Sequence, residues 1–432
     1  MKKPTHGVKS PWRAGPPLSR TDWEQYCERL AAESAKSNIP TQDYYLPADF
    51  PLVLDEAEWR SLARIAEKLT AEALTAEREL VKRIDLHAKL GVPESIREVF
   101  REGGAEEAPV EAGRYMRFDF HWTREGWRIS EVNADTLGGF NVASLFTELM
   151  APYYPKWEAP PDPVRALAKG VRAIVERGEL VGIIRRTVHE RDCEAKYLAR
   201  ELRRQGMRAV IASPGEVRWE AGRANIESAM GSGRPSMLIR FLDAEWLPKL
   251  RPGSEWKKWF AGSRTPMSNP GTSILITSKR FPLVWGDLET EVPTWRAMIP
   301  ETRSPSELGG AAERDWVLKS VYGRVGREVA IAGISSGRGY REAARKARKN
   351  PEGWVAQRRF EMQAVETERG KRHVCLGIYT VDGKAAGAYA RMSKTALVDQ
   401  NAQDVAVLLR GGTWRVGGGR GGSAQNFNTG VS

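Results

Sequence analysis

The stretch MRFDFHWTREGWRISEVN, residues 116–133, decides the fold, because it reads as two short strands around a turn. Side chains alternate between the two faces of a β-strand, so the first strand separates into an apolar set and a polar set. The apolar face carries Met116, Phe118, Phe120 and Trp122, and the polar face carries Arg117, Asp119 and His121. We expect the apolar face to pack on a core and the polar face to hold a site. His121, nearer to the turn, is interpreted as structural.

The turn of this hairpin sets which residues face each other. Arg124–Gly126 is a three-residue loop candidate, with glycine last in the left-handed position. This turn predicts that Asp119 lies opposite Glu131 and that Arg117 lies opposite Asn133. The same register puts Trp127, Ile129, Glu131 and Asn133 on one face of the second strand.

Two carboxylates directly opposite each other on adjacent strands repel, which destabilises a hairpin. A divalent cation between Asp119 and Glu131 reverses the sign of this interaction. Two carboxylates and the amide oxygen of Asn133 are hard ligands of the kind that Mg²⁺ prefers. The alternative is a surface hairpin with solvated carboxylates. The four polar residues on one face, backed by aromatic residues on the other, favour the metal site.

Composition limits the class of protein. The chain has 432 residues, of which 41% are hydrophobic and 28% charged, and this balance is typical of globular proteins. The net charge of +12 is compatible with a polyanionic partner and with a small anionic substrate. Charge alone does not decide between them.

The cysteines and the N-terminus bear on the compartment. Cys27, Cys193 and Cys375 are odd in number and far apart, which excludes a disulfide framework. The segment MKKPTHGVKSPWRAGPP (1–17) lacks the apolar core of a signal peptide, and the chain has no apolar run long enough to span a membrane. We therefore expect a reducing, cytoplasmic location and no membrane partner.

Periodicity predicts the order of elements around the hairpin. Apolar residues recur at helical spacing from Glu56 to about residue 88. Strand, helix and strand alternate between 160 and 250, which predicts a small parallel α/β layer. A polar, Pro- and Gly-rich linker or loop follows at 250–272, and a last helix is predicted near 399–409.

A strand, a lysine and a glycine loop follow one another near the C-terminus. WVLKSVYGRVGREV (316–329) places Lys319 at the end of a strand, before Gly323 and Gly326. Glycines let backbone N–H groups approach phosphate oxygens, and the lysine adds a positive charge, so the pattern indicates phosphate binding. A plain turn is the alternative. Lys279, after the strand candidate ILIT (274–277), is a second candidate for binding phosphate.

Two further strands carry polar candidates. WVAQRRF (354–360) places Gln357 at the end of an apolar strand, where an amide can meet a nucleobase or a ribose. The segment 374–393 predicts a hairpin that turns at Asp382-Gly383 and places Arg391 among small residues. An arginine in such surroundings binds an anion or forms a core salt bridge.

Taken together, these elements resemble the ATP-grasp ligases, and within them the glutathionylspermidine synthase-like branch, whose ATP-grasp parts are circularly permuted. The resemblance implies an α/β (α+β) fold, with a permuted ATP-grasp fold and a small parallel α/β layer like a preATP-grasp domain. The motifs that carry it are RFD (117–119), EVN (131–133), KSVYGRVG (319–326), QRRF (357–360), ARMS (390–393) and YYLPADFPLVLDEAEW (44–59).

Composition and the resemblance together divide the chain into five segments: composition predicts the arm and the tail, and the resemblance implies the three segments between them. These are a flexible basic arm (1–20), a helical segment with the metal-binding hairpin (21–155), a preATP-grasp-like α/β domain (156–272), a nucleotide-binding part of the ATP-grasp (273–410) and a flexible Gly-rich tail (411–432).

Roles follow from the resemblance residue by residue. It implies that Asp119, Glu131 and Asn133 hold Mg²⁺ on ATP, and that Arg117 stabilises charge during phosphoryl transfer. Further roles concern the nucleotide: Lys279 and Lys319 bind phosphates under the Gly323–Gly326 loop, Gln357 lies near the adenine, and Arg391 lies near the phosphates or the acyl group.

The function implied is an ADP-forming carbon–nitrogen ligase that joins a small carboxylate to a small amine through an acyl phosphate. Two other hypotheses stay open. One is a basic protein that binds RNA or another polyanion, with REAARKARKN (341–350) as a basic helix, although no RNA-binding motif is present. The other is a protein that binds ATP without ligase turnover.

Overall fold

The computed structural model describes residues 10–33, 46–104, 113–136, 138–185, 193–308, 313–324, 326 and 328–411. Apart from Gly411, the predicted Gly-rich tail lies outside these ranges, as do the first nine residues of the predicted basic arm.

Nineteen strands and nine α-helices lie within the described ranges. The strands are β1 (Trp12–Ala14), β2 (Leu52–Asp55), β3 (Tyr115–Thr123), β4 (Gly126–Asn133), β5 (Leu180–Arg185), β6 (Arg208–Ala212), β7 (Val217–Glu220), β8 (Arg223–Ser228), β9 (Gly231–Gly233), β10 (Met237–Phe241), β11 (Met267–Ser268), β12 (Thr302–Arg303), β13 (Trp316–Ser320), β14 (Val329–Ile331), β15 (Trp354–Arg358), β16 (His373–Val381), β17 (Lys384–Ser393), β18 (Gln403–Val405) and β19 (Val407–Arg410). The helices are α1 (Arg20–Glu33), α2 (Glu56–Lys82), α3 (Glu94–Val99), α4 (Thr147–Met150), α5 (Pro163–Arg172), α6 (Cys193–Arg204), α7 (Ile274–Thr277), α8 (Pro293–Met298) and α9 (Gly337–Lys349).

A five-stranded antiparallel sheet contains the hairpin, in the order β18-β17-β16-β3-β4. It joins strands from the predicted segments 21–155 and 273–410, which are far apart in sequence. The long helix α2 packs on β16 and β17, and Phe118 on the apolar face of β3 lies edge-on to Trp295 at 5.9 Å. The predicted core face is therefore confirmed: Met116, Phe118 and Phe120 are fully buried.

The hairpin register confirms the predicted pairing of the polar residues, although the turn and the strand geometry that produce this pairing differ from the prediction. Asp119 pairs with Glu131 and Arg117 with Asn133, as predicted. The turn is shorter than predicted, because Thr123 pairs with Gly126 and only two residues lie between them. A β-bulge that leaves Ser130 without a partner restores the register.

The predicted common face of the second strand is wrong for the same reason. Trp127 pairs with Trp122 and Ile129 with Phe120, so Trp127 and Ile129 lie on the apolar face. The bulge then moves Glu131 to the other face, because one extra residue reverses the alternation of side chains.

A four-stranded parallel sheet, β11-β10-β5-β6, confirms the predicted α/β layer. Helix α6 packs on β5 and β6, and α5 packs on α6. The segment 250–272 is mostly irregular, as predicted, but it also contributes β11 to this sheet.

A second four-stranded sheet, β12-β15-β13-β14, carries the lysine and glutamine candidates, and α9 packs on β13 and β14. Two three-stranded sheets, β1-β2-β19 and β7-β8-β9, complete the strands. The turn at Asp382-Gly383 is confirmed, with φ of 47° and 77° at its two residues.

Three further predictions of local structure are wrong. ILIT, predicted as a strand, is the short helix α7, and the segment near 399–409, predicted as a helix, contains β18 and β19. In both segments the apolar residues are buried on all sides, so periodicity does not distinguish a helix from a strand. Residues 12–14 of the predicted flexible arm form β1, because Trp12 is buried and packs on Trp127 at 5.0 Å.

No helix in the described ranges combines the length and apolar character that crossing a bilayer requires.

Candidate active site

A cavity of about 330 Å³ lies between the five-stranded sheet and the sheet that contains β13 and β15. This volume is in the range of small-molecule sites. With the exception of Lys279, the predicted site residues all line it: Arg117, Asp119, Glu131, Asn133, Lys319, Gly323, Gly326, Gln357 and Arg391. Folding therefore brings together residues that are separated by most of the chain.

Arg117 and Asp119 form a two-pronged ion pair on the cavity side of β3. Arg117 donates from Nε to Asp119 Oδ1 at 2.7 Å and from Nη2 to Oδ2 at 3.0 Å. Its remaining nitrogen donates to the carbonyl of Gly138 at 2.6 Å. Burial opposes the charge of Arg117, but Asp119 together with Tyr389 and Tyr379 outweighs burial and keeps the pKa of the guanidinium well above its usual value.

The space for Arg117 comes from Gly377, which the sequence analysis did not identify. Gly377 pairs with Asp119 on the neighbouring strand β16. A Cβ atom there would lie 2.8 Å from Arg117 Cδ and would clash with the Tyr389 ring. The guanidinium carbon lies 4.8 Å from the centre of the Tyr389 ring, a cation–π distance. A glycine inside an otherwise apolar strand is the signal that could have located this close approach.

Glu131 faces Asp119 and has its own cationic partner. Lys279 Nζ lies 3.2 Å from Glu131 Oε2. Burial raises the pKa of Asp119, with Arg117 opposing it. Burial would also raise the pKa of Glu131, but Lys279 and Lys319 hold it below its usual value. The two carboxylates therefore differ in their affinity for protons, as is common for close pairs.

The donor chemistry of these residues fits a magnesium ion. Asp119 and Glu131 present carboxylates from directly opposite positions, and Asn133 Nδ2 lies 3.4 Å from Asp119 Oδ2. A rotation of the Asn133 amide exchanges its nitrogen for its oxygen, which is a ligand for Mg²⁺. Within the described residues, no group of three or more His, Cys, Asp or Glu side chains is arranged to hold a metal. The candidate set thus depends on two carboxylates and one amide.

Lys319 lies on the opposite wall of the cavity and is almost fully buried. Its ammonium donates to Gln357 Oε1 at 2.7 Å and to the carbonyl of Ser130 at 3.1 Å. Burial lowers the pKa of Lys319 to about 8, although Glu131 opposes this shift. An anion bound next to Lys319 would raise its pKa again, because a nearby negative charge favours the protonated ammonium.

The glycine loop after β13 lies over Lys279. Although Lys279 follows a helix and not the predicted strand, its Nζ donates to the carbonyl of Gly323 at 2.7 Å. Gly326 has φ of 67°, and a Cβ atom there would lie 2.9 Å from the carbonyl oxygen of Val398. Between the two glycines, Arg324 pairs with Asp243 at 3.0 Å and so ties the loop to the residues after β10.

Arg391 has a partner that sequence reasoning missed. Its Nε lies 3.4 Å from Asp404 Oδ1, and its Nη2 donates to the carbonyl of Asp399 at 2.8 Å. Asp404 lies on β18, directly opposite Arg391, in the segment predicted as a helix. Burial raises the pKa of Asp404 to about 6, with Arg391 opposing the shift. Arg391 thus forms an ion pair with a buried carboxylate and also faces the cavity.

The cavity wall also contains Cys375 and His121. Burial raises the pKa of the Cys375 thiol well above its usual value, so the thiol is protonated at neutral pH and is a poor nucleophile. Burial and the charge of Lys319 lower the pKa of His121 to about 4, so its imidazole is neutral. The arrangement is therefore suited to binding and stabilising anions, without a covalent role for Cys375.

Comparison with known proteins bears on the family of the chain. A family model described as glutathionylspermidine synthase preATP-grasp matches residues 16–410. The match confirms the resemblance predicted from the motifs, and with it the α/β fold class. No curated protein matches the chain. One similar solved structure is a protein from Methylobacillus flagellatus KT, provisionally described as a gamma-glutamylcysteine synthetase, with 14% identity, coverage of 78% of this chain and 88% of that one, and a TM-score of 0.42.

Proposed function

Because the chain belongs to the glutathionylspermidine synthase preATP-grasp family, we propose that it is an ATP-dependent ligase that joins a carboxylate to an amine. The observation that carries the proposal is the convergence of Arg117, Asp119, Glu131 and Lys319 on one cavity, with Lys279 at its edge. This set combines anion-binding groups with opposed carboxylates, as a site for a metal–nucleotide complex requires.

The lysines are assigned to the phosphates of ATP. Lys319 and Lys279 approach from the side of the glycine loop, and the loop backbone supplies N–H groups. Gln357, beside Lys319, is assigned to the adenosine end. Binding a polyphosphate would replace the present contacts of Lys279 with Glu131 and release that carboxylate for the cation.

Magnesium, held by Asp119, Glu131 and Asn133, would neutralise charge on the phosphates. Arg117 is fixed by Asp119 and Gly138, so it can stabilise the phosphoryl group that passes from ATP to the substrate carboxylate. The products of this step are an acyl phosphate and ADP. Attack by an amine on the acyl carbon then forms the amide and releases phosphate. Positioning and charge stabilisation are the contributions of the protein.

The test is ADP release from ATP and Mg²⁺ across a matrix of small carboxylates and amines. The proposal requires at least one pair for which ADP appears only when both substrates are present, together with an amide product by mass spectrometry. Arg117→Lys keeps the charge but loses the two-pronged geometry, so it should lower turnover by about 100-fold or more while ATP still binds.

Two other outcomes would replace the proposal. Tight ATP binding without ADP release in any combination would identify a nucleotide-binding protein that lacks ligase turnover. Salt-sensitive binding to RNA, with no ATP binding, would identify a polyanion-binding protein.

A further inference from the structure

Ser130 is the bulge residue of the metal-binding hairpin, and the geometry of the site depends on it. From the turn as far as Ile129, the two strands follow the register of a two-residue turn. If that register continued, Asp119 would face Ser130, and Glu131 would face Phe118 on the apolar side. The one unpaired residue turns Glu131 into the cavity and opposite Asp119.

The side chain of Ser130 is held by His121. His121 Nε2 and Ser130 Oγ lie 2.9 Å apart across the hairpin. His121 is 6% exposed and its ring lies 5.3 Å from that of Phe360, so its position is set by packing. This hydrogen bond lies one residue from the metal ligand Glu131 along the strand.

The backbone of Ser130 makes a second connection, to the other wall of the cavity. Its carbonyl accepts a hydrogen bond from Lys319 Nζ at 3.1 Å. Lys319 belongs to β13, in the sheet opposite the hairpin. Ser130 therefore connects the wall that carries Asp119 and Glu131 to the wall that carries Lys319.

We propose that Ser130 and His121 are positioning residues of the active site. The His121–Ser130 hydrogen bond fixes the bulge, and the bulge places Glu131 opposite Asp119. Through the Ser130 carbonyl, the bulge also holds Lys319 at the same cavity. The inference rests on the proposed function for the roles of Glu131 and Lys319. It assigns no contact with substrate to Ser130 or His121. Groups that orient metal ligands in this way affect metal affinity by about 10- to 100-fold.

The experiment measures Mn²⁺ binding by electron paramagnetic resonance, with a non-hydrolysable ATP analogue and without carboxylate or amine. The variants are Ser130→Ala, His121→Phe and the double variant. Ser130→Thr retains the hydroxyl and serves as the rescue. Arg128→Ala is the matched control, since Arg128 lies opposite His121 and donates to the carbonyl of Trp127 at 2.9 Å. Thermal unfolding verifies that each variant is folded.

We expect Ser130→Ala and His121→Phe each to weaken Mn²⁺ binding about tenfold. The double variant should bind Mn²⁺ no more weakly than the single variant with the lower affinity, because both changes remove the same hydrogen bond. Ser130→Thr and Arg128→Ala should bind like wild type. If His121→Phe does not fold, the Ser130→Ala and Ser130→Thr pair alone decides.

Wild-type Mn²⁺ affinity in both single variants, or losses that multiply in the double variant, would overturn the inference and leave the ligase proposal intact. Tight Mn²⁺ binding with the expected losses, but no ADP release with any substrate pair, would overturn the ligase proposal and leave the positioning role. A wild-type protein that binds no Mn²⁺ would overturn the inference together with the metal assignment.

Discussion

Asp119 and Glu131 lie directly opposite each other on adjacent strands, and each has a cation of its own, Arg117 for the first and Lys279 for the second. The site thus balances its charges without a metal. On the proposed function, a magnesium–nucleotide complex would enter by exchange, since the phosphates would attract the cations while the metal would bind the carboxylates. Metal and nucleotide should therefore bind more tightly together than separately.

The first prediction concerns the opposed carboxylates. Asp119→Asn and Glu131→Gln each remove one anionic ligand, so each should lower the affinity for Mn²⁺ in the presence of nucleotide by more than about 100-fold. Glu125→Gln changes an exposed carboxylate in the turn of the same hairpin and should have no effect. Resonance titration of Mn²⁺ measures the affinities, and an Asp119→Asn protein with wild-type affinity would contradict the metal assignment.

The second prediction follows from the lowered pKa of Lys319, about 8. Above pH 8 the unbound ammonium loses its proton, and an anionic nucleotide must restore it on binding. The affinity for metal-free ATP should therefore fall by about tenfold between pH 7 and pH 9, with uptake of a proton. Calorimetry in buffers of different ionisation enthalpy measures this uptake. Lys319→Arg stays charged and should lose this part of the pH dependence; an unchanged proton uptake would refute the assignment to Lys319.

The third prediction concerns Asp404, whose pKa is raised to about 6 in the folded protein. A carboxyl group with a raised native pKa keeps its proton where the unfolded chain has lost it, so its contribution to stability is greatest at low pH and is lost as the pH rises through about 6. Relative to Asp404→Asn, wild type should gain on the order of 2–3 kcal/mol in unfolding free energy from pH 7 to pH 4. Denaturant unfolding at several pH values measures the difference. Asp315→Asn, at an exposed carboxylate, is the control and should show no comparable trend.

The fourth prediction separates backbone strain from steric contact in the glycine loop. Gly326 and Gly253 both have positive φ, of 67° and 82°, but only Gly326 has neighbours within 4 Å of an added Cβ. Gly326→Ala should weaken ATP binding by about tenfold or more, since the loop must move away from Val398 and Asp399. Gly253→Ala should cost about 1 kcal/mol of stability and leave ATP affinity unchanged. Equal ATP affinity in both variants would show that the loop does not contact nucleotide.

Most of the residues singled out from the sequence line one cavity, but the path of the chain between them differs from the predicted path. The Asp119–Glu131 pair was predicted from a three-residue turn, and it exists because a shorter turn and the bulge at Ser130 offset each other. Turn length and bulges depend on tertiary packing, which periodicity does not encode. Arg391 was identified, but Asp404 was not, because its strand is too short and too evenly buried to differ from a helix.

Lys279 is a further example of a located residue with a wrongly predicted backbone. The strand predicted before it is a helix, yet its ammonium reaches Glu131 and Gly323. Several backbone conformations can bring a long, flexible side chain to the same point. Lys279 therefore reaches the glycine loop although the local structure predicted for it is wrong.

The order of strands in the five-stranded sheet has a consequence for synthesis on the ribosome. Phe118 pairs with Ile378, so the hairpin emerges long before the strand that covers its edge. Until β16 is made, β3 presents an unpaired edge, a state prone to association with other chains. The nascent hairpin therefore needs protection while most of the protein is still untranslated, and truncation before residue 373 should yield an insoluble product.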